Sequence, residues 1–198
     1  MAVTKTLPIA HALAAAEAGV TLFGENRVQE AVEKWSGSKP GELHLIGHLQ
    51  RNKARAAASL FDAVDSIDKI ETARALARAC AEAGRRCDIL LEVNTSGEES
   101  KSGVREEGEL LELLAAALAL PELRVRGLLT IGPLTEEEPP VRRAFARLRS
   151  LLESCARAAP GAGLETLSMG MSSDFEIAVE EGSTLVRLGT VLFGPRGG

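Results

Sequence analysis

The chain has 198 residues, of which only 3% are aromatic and none is Tyr, and this predicts a single α/β domain over residues 1–198 with an aliphatic core. Its formal net charge of -5 and its lack of a dense Lys/Arg stripe argue against a nucleic-acid partner. No apolar run approaches the roughly 20 residues that a membrane-spanning helix needs, and no signal-peptide core follows Met1, so we expect a cytoplasmic protein without a membrane partner.

Short apolar runs alternate along the chain with Ala-, Leu- and Glu-rich stretches of helical period, which is typical of βαβ units around a parallel sheet. The predicted strands are Ala2–Thr4, Val20–Phe23, Leu43–Ile46, Phe61–Val64, Asp88–Val93, Val125–Ile131, Leu164–Met169 and Thr184–Leu188. The predicted helices are Ile9–Ala18, Arg27–Trp35, Asn52–Ser59, Lys69–Ala83, Glu106–Leu120, Pro140–Ala158 and Phe175–Glu181. Pro8 lies where the first helix begins, and Asp68 is expected to cap the fourth. Eight strands predict a compact TIM-type (β/α)8 barrel with short loops, since about 250 residues are typical.

Cysteine and histidine spacing gives no sign of a metal site or a disulfide framework. Cys80, Cys87 and Cys155 contain no Cys-x-x-Cys pair, so we expect reduced, mostly buried thiols. His44 and His48 have the i, i+4 spacing of a helical zinc pair, but they lie in a predicted strand and the turn after it. We therefore expect no bound metal.

Polar residues lie at or just after the end of every predicted strand, where a parallel barrel forms its active site. They are Lys5, Glu25 and Asn26, His48, Asp65 and Ser66, Asn94 and Thr95, Thr130, Ser172 to Asp174, and Arg187 with Gly189 and Thr190. Asn26, His48 and Asn94 fit two interpretations, either wall residues that hydrogen-bond a ligand or satisfied polar groups in the upper layer of the barrel. Lys5 follows a short strand, so its amine can point into the barrel mouth, although its spacing alone favours a surface lysine.

The loops after the seventh and eighth predicted strands form a candidate phosphate site. Small residues between Ser168 and Asp174 expose backbone N–H groups at a strand-to-helix turn, and barrels commonly bind phosphate in these two loops. Ordinary helix capping by Ser172, Ser173 and Asp174 is the alternative. Arg187 ends an apolar strand, where a charge must face a ligand or be paired, with Glu92 or Glu25 as the alternative partners.

Segments spanning nearly the whole chain resemble the pyridoxal 5′-phosphate (PLP) homeostasis proteins, which share the barrel of the alanine racemase N-terminal domain. The matching segments are Val3–Thr6, Phe23–Glu30, His44–Lys53, Glu92–Asn94 with Lys101–Gly103, Gly127–Thr130, Leu167–Ser172, and Gly182–Thr190 with Phe193–Gly194. Members of the family usually begin with a helix before the first strand, which this sequence lacks, and residue 7 is Leu where a basic residue is common.

The resemblance implies a role for each polar residue of the barrel mouth. Lys5 is similar to the lysine that holds PLP as a Schiff base, while Ser172 and the backbone of Gly189 and Thr190 resemble the phosphate ligands. Arg187 resembles the partner of the pyridine nitrogen. A guanidinium does not readily give up its proton, so the ring nitrogen stays unprotonated and PLP is a poorer electron sink. The implied function is intracellular storage of PLP and delivery to apo PLP-dependent enzymes, without turnover.

Two enzymatic functions remain as alternatives. An amino-acid racemase needs two bases on opposite faces of its substrate, and racemases of this fold take the second from a tyrosine on an additional β domain. This chain has no Tyr, although His48 can in principle substitute. A lysine-dependent aldolase also uses a barrel lysine but needs neither the phosphate site nor the Met-Gly-Met-Ser segment from Met169 to Ser172. The lack of a large aromatic patch predicts a monomer.

Overall fold

The computed structural model describes residues 1–37 and 39–195, which form eight strands in one sheet and the helices between them. The strands are β1 (Ala2–Val3), β2 (Leu22–Glu25), β3 (Glu42–Leu45), β4 (Ala63–Ile67), β5 (Cys87–Glu92), β6 (Leu123–Leu129), β7 (Thr166–Met171) and β8 (Leu185–Arg187). The α-helices are α1 (Ile9–Glu17), α2 (Val28–Trp35), α3 (Ala54–Leu60), α4 (Ile70–Glu82), α5 (Glu107–Leu118), α6 (Glu138–Ala158), α7 (Phe175–Glu180) and α8 (Thr190–Phe193). A 3₁₀ turn, Arg51–Lys53, precedes α3.

The sheet closes into a barrel. Each strand pairs in parallel with the next one in the chain, from β1 to β8. A parallel bridge between Ala2 and Leu188 joins the last strand to the first, and the Val3 N–H donates to the Leu188 carbonyl over 2.8 Å. The predicted (β/α)8 barrel is therefore confirmed.

The apolar core lies between the sheet and the surrounding helices. Phe23, Phe61 and Phe145 are fully buried there, and Trp35 packs against Phe23 at a ring separation of 5.4 Å. Alanines fill much of the remaining helix surface, as at Ala73, which allows the helices to approach the strands closely. No helix within the described residues is both long and apolar enough to cross a membrane.

A bulge in β6 depends on one glycine. The pairing with β5 slips by one residue between Val125 and Gly127, and Gly127 has a φ of 155°. A Cβ at this position would lie 2.0 Å from the Thr166 carbonyl oxygen, so any other residue would collide with backbone. Bulges re-aim the residues that follow them, and this one precedes Thr130 at the carboxyl end of the barrel.

Several element boundaries differ from the prediction. Strand β4 begins two residues later and includes Asp65 and Ser66, which were expected to follow it. The predicted Asp68 cap is wrong, because Lys69 is the N-cap residue of α4 and makes no side-chain capping bond. The Oδ1 atom of Asp68 is buried and has no hydrogen-bond partner within the described part of the chain. The short helix α8 was not predicted, because four residues after a strand carry too little periodicity to detect.

Candidate functional site

A cleft of about 270 Å³ opens at the carboxyl ends of the strands. Its lining residues are Val3, Lys5, Asn26, Ile46, Ile131, Met171, Ser172, Ser173, Arg187, Gly189 and Thr190. Six of the eight predicted site residues are among them, all except His48 and Asn94. Apolar walls with a few convergent polar groups are typical of small-molecule sites.

His48 and Asn94 line a second cavity of about 220 Å³, which shares Asn26, Ile46 and Ile131 with the cleft. The Asn94 amide is used within its own loop. Its Nδ2 donates to the carbonyls of Glu98 and Lys101, at 2.8 and 3.0 Å, and its Oδ1 accepts from the hydroxyl of Ser96. This side chain therefore braces the loop after β5 beside the cleft, as one of the two interpretations of the sequence allowed.

Arg187, at the end of β8, crosses the barrel interior and is almost completely buried. Its Nη1 donates to Ser168 Oγ over 2.8 Å and its Nη2 donates to the Thr130 carbonyl over 2.8 Å. Both acceptors are neutral. None of the ion pairs within residues 1–37 and 39–195 includes Arg187, so the alternative salt bridge to Glu92 or Glu25 does not form. A buried guanidinium with this environment presents its charge to the cleft that it lines.

Carboxylates surround Arg187 at a distance rather than in contact. Burial lowers the pKa of Arg187, while the charges of Asp65, Asp174 and Glu92 oppose that shift. Burial, and secondarily the charge of Asp68, raises the pKa of Glu92 to about 7 against the opposing effect of Arg187. Arg187 stays protonated, because a guanidinium holds its proton more tightly than any other side chain. The barrel interior near the cleft is therefore polar and charged, in contrast to the aliphatic layer outside the sheet.

The two predicted phosphate loops meet at the hydroxyl of Ser172. Ser172 Oγ accepts from the backbone N–H groups of Gly189 and Val191, at 3.2 and 3.3 Å. Asp174 is the N-cap residue of α7, but its carboxylate accepts from the Met171 N–H rather than from the first turn of the helix. The loops thus gather backbone N–H groups and one hydroxyl at a single point, an arrangement suited to an anion.

Lys5 lies in a tight turn that joins β1 to α1, and it is partly buried in the cleft wall. The Leu7 N–H donates to the Thr4 carbonyl over 3.1 Å, so Lys5 and Thr6 are the central residues of a β-turn. Thr6 has a φ of 63°, a left-handed conformation that a β-branched residue rarely adopts. The turn therefore fixes where the Lys5 side chain leaves the backbone.

Two residues expected at the barrel mouth lie elsewhere. Glu25 is buried between the sheet and α2, where its Oε1 accepts from Thr4, Lys34 and Trp35. Asp65 lies inside the barrel nearer its amino-terminal end, 3.1 Å from His44 Nδ1. Asp65 was misplaced because a polar residue after an apolar run was taken to end the strand, although a barrel interior can accommodate a charged side chain within a strand. Glu25 was misplaced because it is the last residue of β2 and its side chain lies on the outer face of the sheet, against α2.

The sequence reasoning missed Lys34 and Ser168. Ser168 holds Arg187, and Lys34 holds the backbone around Lys5. A signal for Lys34 was present, since Glu30 and Lys34 have the i, i+4 spacing of a helical ion pair. The contact with β1 has no counterpart in local sequence.

Comparisons with known proteins agree on the fold and on one group of relatives. Residues 1–197 match the family described as "Alanine racemase, N-terminal domain". A relative named "Pyridoxal phosphate homeostasis protein", from Pseudomonas aeruginosa, is 44% identical over 198 residues, covering 99% of this chain and 84% of the relative. The structure of PipY from Synechococcus elongatus with PLP bound is similar at a TM-score of 0.89 and 38% identity, covering 98% of this chain and 91% of PipY.

A more distant structure shares the barrel alone. The alanine racemase from the D-cycloserine-producing Streptomyces lavendulae has a TM-score of 0.84 at 24% identity, and the match covers 100% of this chain and 53% of the racemase. This likeness concerns the fold, and it carries no assignment of activity.

Proposed function

The chain belongs to the family of pyridoxal phosphate homeostasis proteins, and from this premise we propose that it binds PLP as a Schiff base on Lys5 and stores and delivers the cofactor in the cytoplasm. PLP supplies an aldehyde that condenses with a primary amine. We propose apo PLP-dependent enzymes as the proteins that receive the cofactor from this one. The protein is proposed to act as a monomer without turnover of a substrate.

The donor set of the cleft fits this cofactor. Lys5 supplies an amine, and Arg187 supplies a charged hydrogen-bond donor for a pyridine nitrogen. Ser172 and the backbone N–H groups of Gly189 and Thr190 are the proposed phosphate ligands, at the point where Gly189 and Val191 donate to Ser172 Oγ. Asn26 on the cleft wall and His48 in the adjoining cavity are further polar contacts that we propose for the cofactor. Asn94 is proposed to contribute indirectly, because its amide braces the loop beside them.

One observation carries the choice of a carrier over an enzyme, namely the environment of Arg187. Its guanidinium is buried, bonded to the neutral oxygens of Ser168 and Thr130, and faces the cleft. Because it does not give up its proton, it keeps a ring nitrogen beside it unprotonated and discourages carbanion chemistry. The sequence also lacks Tyr, the residue type that serves as second base in racemases of this fold.

Binding and turnover can be tested on the same purified protein. We expect the protein to turn yellow on addition of PLP, and Lys5→Ala to lose the visible absorbance of the Schiff base. Holo-protein incubated with L- and D-amino acids is then assayed for the opposite enantiomer by chiral chromatography, and we expect none above a protein-free PLP control.

Two results would contradict the proposal in different ways. A protein that stays colourless with excess PLP would refute cofactor binding. Sustained conversion of one enantiomer into the other, abolished by Lys5→Ala, would instead make the protein a racemase, the second candidate, with His48→Ala as the variant that tests the second base.

A further inference from the structure

One charge cluster, formed by the buried Lys34 and Glu25 and the half-buried Glu30, is bonded to both neighbours of Lys5. Lys34 Nζ donates to the Thr4 carbonyl over 2.7 Å. The Thr4 hydroxyl donates to Glu25 Oε1 over 2.7 Å. On the other side of Lys5, the Thr6 N–H donates to Glu30 Oε1. The backbone is therefore held immediately before and immediately after the lysine.

Several hydrogen bonds hold the side chains of this cluster in place. Lys34 Nζ uses its three protons on Thr4 O, on Glu25 Oε1 at 2.9 Å and on Glu30 Oε1 at 3.2 Å. Its side chain is 8% exposed and that of Glu25 is 0% exposed. Trp35 Nε1 adds a further bond to Glu25 Oε1. Because these bonds share Lys34 Nζ and Glu25 Oε1, neither side chain can shift without breaking several contacts together.

The turn that the cluster holds is one the sequence disfavours. Thr6 is a β-branched residue at a φ of 63°, at a central position where glycine is usual when φ is positive. Such a conformation persists only where the surroundings impose it. The Thr6 N–H bond to Glu30 and the Lys34 bond to the Thr4 carbonyl are contacts that impose it here.

We propose that Lys34, acting with Glu25 and Glu30, is a positioning residue that fixes the turn around Lys5 so that its amine meets the aldehyde of PLP at bonding distance. The cluster lies behind β1 and lines neither the cleft nor the adjoining cavity. It therefore controls formation of the covalent bond rather than retention of the phosphate and ring. This inference rests on the proposed function of Lys5.

The test separates covalent attachment from total binding. Lys34→Met and Glu30→Ala are prepared as apo-proteins and mixed with PLP. Total bound PLP is measured by equilibrium dialysis, and the rate of Schiff base formation by stopped-flow absorbance. We expect total binding to change less than about threefold, while the rate of attachment falls roughly ten- to hundredfold in Lys34→Met, because misplacing a reacting group by about 1 Å has effects of that size. Glu30→Ala, which removes the Thr6 contact and the longest of the three Lys34 bonds but leaves Lys34 on the Thr4 carbonyl and Glu25, should show a smaller fall.

Lys39→Met is the matched control. Lys39 also pairs with a carboxylate and a carbonyl, those of Asp62 and Leu60, but away from the cleft. Its attachment rate should equal that of the wild type. Should Lys34→Met fail to fold, Glu30→Ala decides, since the Glu30 side chain is 28% exposed and we expect its removal to destabilise the protein less.

Wild-type attachment rates in a folded Glu30→Ala protein, and in Lys34→Met where it folds, would overturn the inference and leave the proposed function intact. A wild-type protein that forms no Schiff base on Lys5 would instead refute the proposed function itself.

Discussion

Two buried cations on either side of β1 have opposite environments. Lys34 contacts two carboxylates and a carbonyl, so its charge is neutralised where it stands. Arg187 contacts two neutral oxygens, and the carboxylates around it stay out of ion-pair range. The difference indicates their roles: a cation with complete local partners stabilises the structure, whereas a buried cation with incomplete compensation at the wall of a cleft is available to a ligand.

The largest effect expected from this comparison is on stability. Lys34→Met leaves Glu25 and Glu30 beside each other without their counter-charge, so we expect the free energy of unfolding of the apo-protein to fall by about 3–5 kcal/mol. Urea denaturation followed by circular dichroism measures it. Lys39→Met, which removes a partly exposed pair, should cost less than about 1 kcal/mol. Equal losses in the two variants would contradict the structural role given to Lys34.

The next effect concerns Glu92, a carboxyl beside Arg187. Its pKa of about 7 lies above the usual 4.5, so its contribution to stability is complete below pH 4.5 and is lost as the pH rises through 7. The loss is roughly 3 kcal/mol at most. We expect Glu92→Gln to be more stable than the wild type at pH 8, with the difference shrinking towards pH 5.

His44 also contributes to the pH dependence of stability in that experiment. Burial lowers the pKa of His44, but the hydrogen bond and charge of Asp65, with smaller contributions from Glu42 and Asp62, leave it raised overall. Stability from His44 is therefore also lost with rising pH, and only the difference between wild type and Glu92→Gln isolates Glu92. A difference that does not change with pH would contradict the raised pKa.

The smallest expected effect concerns Arg187, the second of the two buried cations, and its contribution to PLP affinity. Arg187→Met removes the charged hydrogen bond that we propose to the cofactor, worth about 1.5–3 kcal/mol, so PLP binding should weaken roughly ten- to hundredfold. Equilibrium dialysis of apo-protein with PLP measures this. The destabilisation of the apo-protein should be smaller than that of Lys34→Met. If Arg187→Met unfolds the protein and leaves PLP affinity unchanged in the folded fraction, the two cations do not differ as described.

The barrel and most of the cleft could be predicted from sequence because both follow from local pattern. The alternation of strand and helix periods predicted the eight strand–helix units. The polar residues at the strand ends predicted that Lys5, Ser172 and Arg187 line the cleft. The roles assigned to those three residues came from the resemblance to a known family, and they stay proposals for this chain.

The rest depended on contacts between distant segments. The cluster at Lys34 requires helix α2 to pack behind β1 at one register, which no periodicity encodes. Asp65 was misplaced because a buried charge inside a barrel strand looks like the end of that strand. The partners of Arg187, on β7 and after β6, could be identified only once the barrel had closed.

The attachment point of the cofactor tests the account most directly. Holo-protein is reduced with borohydride, digested and mapped by mass spectrometry, alongside Lys5→Ala treated in the same way. We expect the reduced cofactor on the peptide that contains Lys5, and no modified peptide in the variant. A modification located on another lysine, or one that persists in Lys5→Ala at the wild-type level, would contradict the account.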